Sequence, residues 1–195
     1  MDYIRSIAIN NSRGFGHGFR SPSAKDEWLT PLAILRSLGP FDLDPCAPLN
    51  RPWPTAAHHL TIEDDGLAHN WFGRVWLNPP YSKTNQWLGR LADHGNGIAL
   101  IFARTETRWF FRHVWQRASA VFFFKGRIAF HHTSGKVGAS AGAPSCLVAY
   151  GRLNVQRIRR SGLIGKLIVL RSNNSDRINL SHRVKLPAAS SGINT

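Results

Sequence analysis

Residues 75–81 read VWLNPPY, and the prediction of the fold starts from this stretch. Its first three residues are apolar and predict a buried strand that leads Asn78 into a turn. Pro79 and Pro80 have no backbone N–H, so they extend neither a strand nor a helix interior. The stiff turn leaves the Asn78 side-chain oxygen beside the Pro79 carbonyl, and two such acceptors can bind both hydrogens of an exocyclic amine. Tyr81 adds a flat ring on which a base can stack.

Helical and strand patterns alternate on both sides of this stretch. The near-continuous apolar run 97–103 is typical of a strand inside a parallel sheet. Thr30 is a favourable N-cap, and Pro31 is a favourable first helical residue. The alternation predicts an α/β layered fold. The predicted strands are 41–44, 74–77, 97–103, 120–124, 146–150 and 167–170, with a hairpin start at 126–130, and the predicted helices are 31–38, 84–94, 107–117 and 154–161.

The 195 residues suit one domain, and 43% of them are hydrophobic, enough for a packed core. We expect a flexible leader over 1–24, a single domain over 25–171 and a disordered basic tail over 172–195. No apolar run reaches the roughly 18–20 residues of a membrane span, and the N-terminus lacks the apolar region of a secretory signal. Cys46 and Cys146 are too few for a disulfide framework, which favours the cytoplasm.

The charge of the chain is strongly positive and unevenly distributed. Lys and Arg number 25 against 11 Asp and Glu, which gives a net charge of +14 and favours a nucleic-acid partner over a membrane. Residues 26–106 contain nine of the acids, whereas residues 107–195 contain one acid and fifteen bases. The acids therefore gather where we expect a small-molecule site, and the bases gather where we expect phosphate contacts. A purely solubilising surface is the alternative interpretation.

The histidine pairs 58–59 and 131–132 do not predict a metal site. Metal ligands are normally spaced so that their side chains converge, with carboxylate or thiolate support. Trp76 alternates with Asn78 along the strand, and we expect it to be packed in the core.

Five separated motifs occur in a characteristic order, followed by a sixth segment. The motifs are DEWLTP (26–31), FDLDPCA (41–47), DDGL (64–67), W-x-G-x-VWLNPPY (71–81) and GRIAF (126–130), and the closing segment is NVQRIRRSGLIGK (154–166). In that order the chain resembles a family of phage-encoded DNA N6-adenine methyltransferases, often labelled Dam-like. The resemblance extends from about Lys25 to Lys166.

The resemblance implies a Rossmann-like, S-adenosylmethionine-dependent methyltransferase fold. Its sheet would be mostly parallel, with an antiparallel closing pair formed by 120–124 and 146–150. The strand before Asn78 would be the fourth of the sheet, and 97–103 would be the fifth. The resemblance also implies methyl transfer to adenine N6 in double-stranded DNA, with no obligate protein partner, in the cytoplasm of a host cell. The site residues it implies for catalysis are Asn78, Pro79, Pro80 and Tyr81.

The cofactor pocket is expected beyond the carboxyl ends of the strands. Asp42 and Asp44 alternate on a strand and would share a face, with Asp44 the favoured cofactor acid. The resemblance assigns the first cofactor motif to Asp44, Pro45 and Cys46, the adenine contact to Asp64 or Asp65, and the methionine carboxylate to the Thr30-Pro31 helix start. Two features depart from the common pattern: no Gly-rich loop follows the first strand, and the region 46–63 is too short for a full strand–helix unit. The acid that binds the ribose stays open.

The sequence leaves several functions to compare. Cytosine-N4 methylation would use the same two acceptors, but Asn rather than Ser at the first motif position favours adenine. Methylation of protein glutamine amides uses the same motif, but the net charge argues against a protein substrate. A catalytically degenerate DNA-binding protein is the non-enzymatic alternative. The candidate DNA-contacting residues are Lys83, Arg127, Lys136, Arg157 and Arg160.

Overall fold

A computed structural model of the chain describes residues 28–170. The predicted leader (1–24) and tail (172–195) lie outside the described residues. No helix among the described residues has both the length and the apolar character to cross a bilayer. The helices are α1 (Leu32–Leu38), α2 (Thr84–His94), α3 (Arg108–Phe110) and α4 (Arg152–Arg160). The strands are β1 (Leu43–Asp44), β2 (His58–His59), β3 (Val75–Leu77), β4 (Gly97–Phe102), β5 (Ala120–Phe124), β6 (Ala129–His131), β7 (Val137–Ser140), β8 (Ser145–Tyr150) and β9 (Gly165–Val169).

Seven of these strands form one sheet in the order β2-β1-β3-β4-β8-β5-β9, and β6 pairs with β7 in a separate hairpin. Strands β2, β1, β3 and β4 pair in parallel, whereas β8 is antiparallel to both β4 and β5. The predicted α/β architecture, with a mostly parallel sheet and an antiparallel pair, is confirmed. The strand before Asn78 is the third along the described chain and not the fourth, because only the two-residue β2 lies between β1 and β3.

Two helices differ from their predicted form. α1 begins at Leu32 with Pro31 at its N-cap position, and Thr30 makes no capping hydrogen bond. The predicted helix over 107–117 is divided into α3 and a π-helical turn, Phe111–Trp115. By contrast, α2 has the predicted bounds. Gly95 follows its last residue as the C-cap, and its positive φ of 77° terminates the helix.

Helices cover both faces of the sheet. Val75 and Leu77 of β3 pack in one core cluster together with Leu88 of α2, whereas Trp76 packs in the other with Ile34 of α1. All three residues of β3 are buried, as side chains that alternate between two covered faces must be. Trp76 therefore packs in the core as predicted, with its ring 5.2 Å from that of Phe41.

The parallel pairing gives the sheet two chemically different edges. The carboxyl ends of β1, β3 and β4 meet at one edge, which we call the carboxyl edge; Asp44 ends β1 there, and Asn78 follows β3. The opposite end, the amino edge, is where these strands begin. Because β8 is antiparallel, its last residue, Tyr150, pairs with the first residue of β4, Gly97. Helix α4 therefore starts at the amino edge.

Candidate active site

A cavity of about 990 Å³ opens at the carboxyl edge. Its walls come from the segment before α1, the loop after β1, residues 61–67 and the turn after β3. Most of the residues predicted for catalysis and cofactor binding line this one cavity, although they are distant in sequence. The predicted residues that line it are Thr30, Asp44, Pro45, Cys46, Asp65, Asn78, Pro79, Pro80, Tyr81 and Lys83.

The side chain of Asn78 is held by a contact that its local sequence does not reveal. Its Nδ2 donates to the backbone carbonyl of Trp28 at 2.7 Å. A carbonyl only accepts, so this contact assigns the NH₂ end of the amide to Trp28 and leaves the Oδ1 end as an acceptor. The backbone carbonyl of Asn78 accepts a hydrogen bond from the Cys46 thiol at 3.5 Å. Both ends of the residue are therefore positioned by other segments of the chain.

The two prolines differ in how their carbonyls are used. The Pro80 carbonyl accepts from the backbone N–H of Lys83 at 3.1 Å, in the 3-10 turn Tyr81–Lys83. Within residues 28–170 the Pro79 carbonyl makes no hydrogen bond with another residue. Asn78 and Pro79, the residues of the predicted pair of acceptors, both line the cavity.

The Tyr81 ring is supported by an aromatic neighbour. The ring of Phe102 stacks on it, with centroids 4.0 Å apart and planes within 11°. Phe102 is the last residue of β4, so the two parallel strands end side by side and bring the rings together. Phe102 was not predicted as a site residue; the signal available in the sequence was an aromatic residue at the end of an otherwise aliphatic strand.

Asp44 is the buried acid of the cavity. Only 2% of its surface is exposed. Its carboxylate accepts from the backbone N–H of Cys46 at 3.1 Å and from the hydroxyl of Thr55. Burial raises the pKa of Asp44 from its ordinary value of 3.8 to about 6, against the opposing effect of these hydrogen bonds. The cavity thus contains a desolvated carboxylate, which favours a cationic or hydrogen-donating ligand group.

Three buried donors in the cavity wall have no partner. Within the described chain, the Thr30 hydroxyl and the indole N–H groups of Trp76 and Trp87 make no hydrogen bond, and all three residues line the cavity. Leaving a buried donor unpaired costs about 1–3 kcal/mol. The two tryptophans were not predicted as site residues, because an indole in an apolar pattern is indistinguishable from core.

Three predicted cofactor residues, Asp42, Pro31 and Asp64, do not line the cavity. Asp42 is exposed at the amino edge, where its carboxylate accepts from the Arg74 backbone N–H at 2.6 Å. It does not share a face with Asp44, because β1 begins only at Leu43. Pro31 is buried before α1.

Asp64 and Asp65 have different roles in the structure. Asp64 is exposed and accepts from the backbone N–H and the hydroxyl of Thr61, at 2.7 and 2.9 Å. These bonds lower the pKa of the Asp64 carboxyl and close the turn over residues 61–64. Asp65, whose φ of 49° is positive, lines the cavity. Of the two adjacent acids, Asp65 is the one that a ligand in the cavity can contact.

The predicted DNA-contacting residues fall into two groups. Lys83 lines the cavity, and Arg127 and Lys136 lie in the chain that follows β5 at the carboxyl edge. Arg157 is an exposed residue of α4, near the amino edge: burial, and then the charge of Arg157, lower the pKa of Arg74 to about 10. Arg160 is in the last turn of the same helix.

Two further bases at the carboxyl edge were not predicted. Arg104 and Arg108 are exposed and follow β4, the strand next to β3. In the sequence only the total charge of this part of the chain stands out, so neither residue was distinguished from its basic neighbours. The carboxyl edge is thus richer in bases than the motif residues alone indicate.

The histidine pairs have structural contacts. His59 Nε2 accepts from the backbone N–H groups of Thr55 and Ala56, at 3.1 and 3.3 Å. The ring of His131 packs edge-on against Trp53, and that of His132 lies 4.9 Å from Trp28. In the part of the chain that the structure describes, no group of three or more His, Cys, Asp or Glu residues could hold a metal ion.

Comparison with known proteins agrees with the motifs. The chain matches the family described as "DNA N-6-adenine-methyltransferase (Dam)" over residues 20–161. A protein from Escherichia phage T1 named "DNA N-6-adenine-methyltransferase" is 29% identical over 105 residues, which are 48% of this chain and 43% of that protein. The matched stretch therefore spans less than half the length of this curated relative. No solved structure matches the chain.

Proposed function

We propose that this chain, which belongs to the DNA N-6-adenine-methyltransferase (Dam) family, transfers a methyl group from S-adenosylmethionine to the N6 amine of adenine in double-stranded DNA. One observation carries the proposal: the Asn78–Tyr81 turn and the buried acid Asp44 line the same cavity. An amine-binding pair of acceptors and an acid suited to a cationic cofactor are therefore adjacent. The phage T1 relative carries the name of the same activity.

The chemistry of the cavity wall fits S-adenosylmethionine. That molecule has an ammonium group, a carboxylate, ribose hydroxyls and a positively charged sulfonium, and when bound it supplies an activated methyl group. The Asp44 carboxylate suits the positive or hydroxyl groups. We expect Thr30, which lines the same wall, to contact the methionine carboxylate. Asp65 offers an acceptor on the same wall for an exocyclic amine.

The residues of the turn act on the target base. The lone pair of the adenine amine is delocalised into the purine, so the amine is a weak nucleophile. Asn78 Oδ1 and the Pro79 carbonyl would accept hydrogen bonds from the two N–H groups of the amine. These bonds would favour a tetrahedral nitrogen, whose lone pair would then point at the methyl group. This is catalysis by positioning and electrostatic stabilisation. Tyr81, backed by Phe102, would hold the base plane.

A base in a duplex must leave the stack before it reaches this cavity. Flipping costs a few kcal/mol, which contacts to the DNA backbone can offset. We expect Lys83, Arg127 and Lys136, at the carboxyl edge, to make such contacts, together with the exposed Arg104 and Arg108. A protein with this substrate would act in the cytoplasm of a host cell.

Sequencing of DNA from cells that express the protein tests the proposal. We expect N6-methyladenine at defined sites in cells with the wild-type chain and none in cells with Asn78→Ala. N4-methylcytosine in place of N6-methyladenine would support the alternative with the same two acceptors. DNA binding without any methylation, together with no calorimetric signal for S-adenosylmethionine, would identify a degenerate, non-enzymatic protein.

A further inference from the structure

The orientation of the Asn78 amide depends on a residue 50 positions earlier in the chain. Trp28 holds the NH₂ end of the amide through its backbone carbonyl. An amide turned by 180° would present its own hydrogens to the target amine, so two donors would face each other and the nitrogen would not be activated. The position of the Trp28 backbone therefore determines whether Asn78 presents an acceptor.

Trp28 is in turn held by both strands of the β6–β7 hairpin. Its neighbour Leu29 exchanges two backbone hydrogen bonds with His131 of β6, at 2.8 and 2.9 Å. The Trp28 ring lies 4.9 Å from that of His132. From β7, Gly138 is so close that a Cβ at this position would lie 2.7 Å from the Trp28 ring. The hairpin thus clamps Trp28 from two sides.

The same hairpin presents a base to the solvent. Lys136 is exposed in the connection between the two strands, and its backbone carbonyl accepts from the His132 N–H at 2.9 Å. Gly135, with a positive φ of 84°, packs on Pro52 of the loop after β1. The hairpin therefore lies against the loop after β1, contacts Trp28 and exposes a cation at the carboxyl edge.

From these contacts we infer that the β6–β7 hairpin keeps the Asn78 amide in its reactive orientation through Trp28. Trp28 lines the cavity, but in this scheme it is a positioning residue, because it acts through the Asn78 amide. The inference rests on the proposed function. It predicts a defect in the rate of the chemical step that leaves cofactor binding intact.

Gly138→Ala tests the inference, with Gly142→Ala as a matched control. A Cβ at position 138 would lie 2.7 Å from the Trp28 ring and 2.9 Å from the Phe130 backbone carbonyl oxygen, so the ring and the hairpin backbone must both shift. A Cβ at position 142 meets no atom within 4 Å. We expect Gly138→Ala to lower the single-turnover methylation rate by about a hundredfold, the effect of a small misplacement of a reacting group. S-adenosylmethionine affinity, measured by calorimetry, should be unchanged in both variants, and Gly142→Ala should keep the wild-type rate.

His132→Ala is the second variant, in case Gly138→Ala does not fold. It removes the ring beside Trp28 without adding bulk, and we expect a smaller loss of rate with unchanged cofactor affinity. A wild-type rate in a folded Gly138→Ala protein, or in His132→Ala if the first variant is unfolded, overturns the inference. Equal losses in Gly138→Ala and Gly142→Ala overturn it too. Failure of the proposed function would instead appear as an inactive wild-type protein. That result would overturn both the proposed function and this inference.

Discussion

The polar groups at the two edges of the sheet differ in whether they have hydrogen-bond partners. At the amino edge, Arg74, Asn154 and Asn96 are joined by hydrogen bonds, and Asp42 accepts from the backbone of Arg74. Only Nη2 of Arg74 lacks a partner in this network. At the carboxyl edge, three buried donors without partners and a desolvated acid belong to residues that line a cavity. A satisfied network stabilises the fold, whereas an unsatisfied set of groups at a cavity is suited to a ligand.

The largest expected effect is at the carboxyl edge. Asn78→Ala removes one of the two proposed acceptors for the target amine, and we expect methyl transfer to fall by about a hundredfold or more. The affinity for S-adenosylmethionine should be nearly unchanged if, as proposed, Asn78 contacts the base and not the cofactor. Radiolabelled methyl transfer and calorimetry measure the two quantities separately. Turnover close to wild type would show that the turn has another role.

The second effect concerns Asp44 and depends on pH. A cationic cofactor favours the carboxylate form, and the pKa of Asp44 in the free protein is about 6. The affinity for S-adenosylmethionine should therefore fall as the pH drops below about 6 and be nearly constant above it. Asp44→Asn should bind weakly at every pH and lose this dependence. Calorimetric titrations between pH 5 and 8 measure it; an unchanged profile in Asp44→Asn would assign the titration to another group.

Stability should depend on Asp44 in the opposite direction. The pKa is raised above its ordinary value of 3.8, so the folded protein binds more protons than the unfolded chain between about pH 4 and 6. The free energy of unfolding of the cofactor-free protein should decrease as the pH rises through this window. Asp44→Asn should remove that decrease. Urea unfolding at several pH values, with wild type and variant in parallel, provides the measurement.

A third variant contrasts the amino edge with Asn78. Asn154 is fully buried, and its amide bonds to Arg74, Asn96 and the Tyr150 carbonyl. Asn154→Ala leaves these partners unpaired, so we expect a loss of about 1–3 kcal/mol in the free energy of unfolding. Methyl transfer per folded molecule should be unchanged at a temperature where the variant is folded. A specific loss of activity without a loss of stability would contradict the structural role of this edge.

The sequence predicted what depends on local chemistry. The Pro-Pro turn, the bounds of α2 and the position of Asn78 after a buried strand all follow from neighbouring residues, and the resemblance to the family is confirmed by the match over residues 20–161. Asp44 was correctly placed at a strand end. The prediction that Asp42 shares a face with Asp44 was wrong, because side chains alternate between faces only inside a strand, and β1 contains only Leu43 and Asp44.

Contacts between distant segments could not be predicted in this way. The hydrogen bond from the Asn78 side chain to the Trp28 carbonyl links residues 50 positions apart. The stacking of Phe102 on Tyr81 depends on β3 and β4 ending side by side. The position of Arg157 depends on β8 being antiparallel, which carries α4 to the amino edge. Local patterns predict the strands themselves, but these long-range contacts exist only in the folded sheet.

The smallest expected effect is on the salt dependence of DNA affinity, and it differs between the bases of the two edges. Lys83 and Lys136 lie at the carboxyl edge, whereas Arg152 begins α4 at the amino edge and Arg157 lies near Arg74. Removing a base that neutralises one phosphate flattens the slope of log affinity against log salt by about 0.9. On a short duplex centred on the target adenine, Lys83→Ala with Lys136→Ala should flatten the slope by about two, and Arg152→Ala with Arg157→Ala should leave it unchanged.

Duplex length sharpens this last comparison. A short duplex centred on the cavity covers the carboxyl edge first, so we expect Arg152 and Arg157 to contribute mainly when the DNA extends around the molecule. The arginine pair should therefore change the salt slope mainly on long DNA, by a similar amount on any sequence, because phosphate contacts carry no base information. Fluorescence anisotropy with short and long duplexes across a series of salt concentrations would measure both slopes. If the arginine pair flattens the slope on the short duplex as much as the lysine pair does, the target strand passes over α4, and the assignment of DNA binding to the carboxyl edge is wrong.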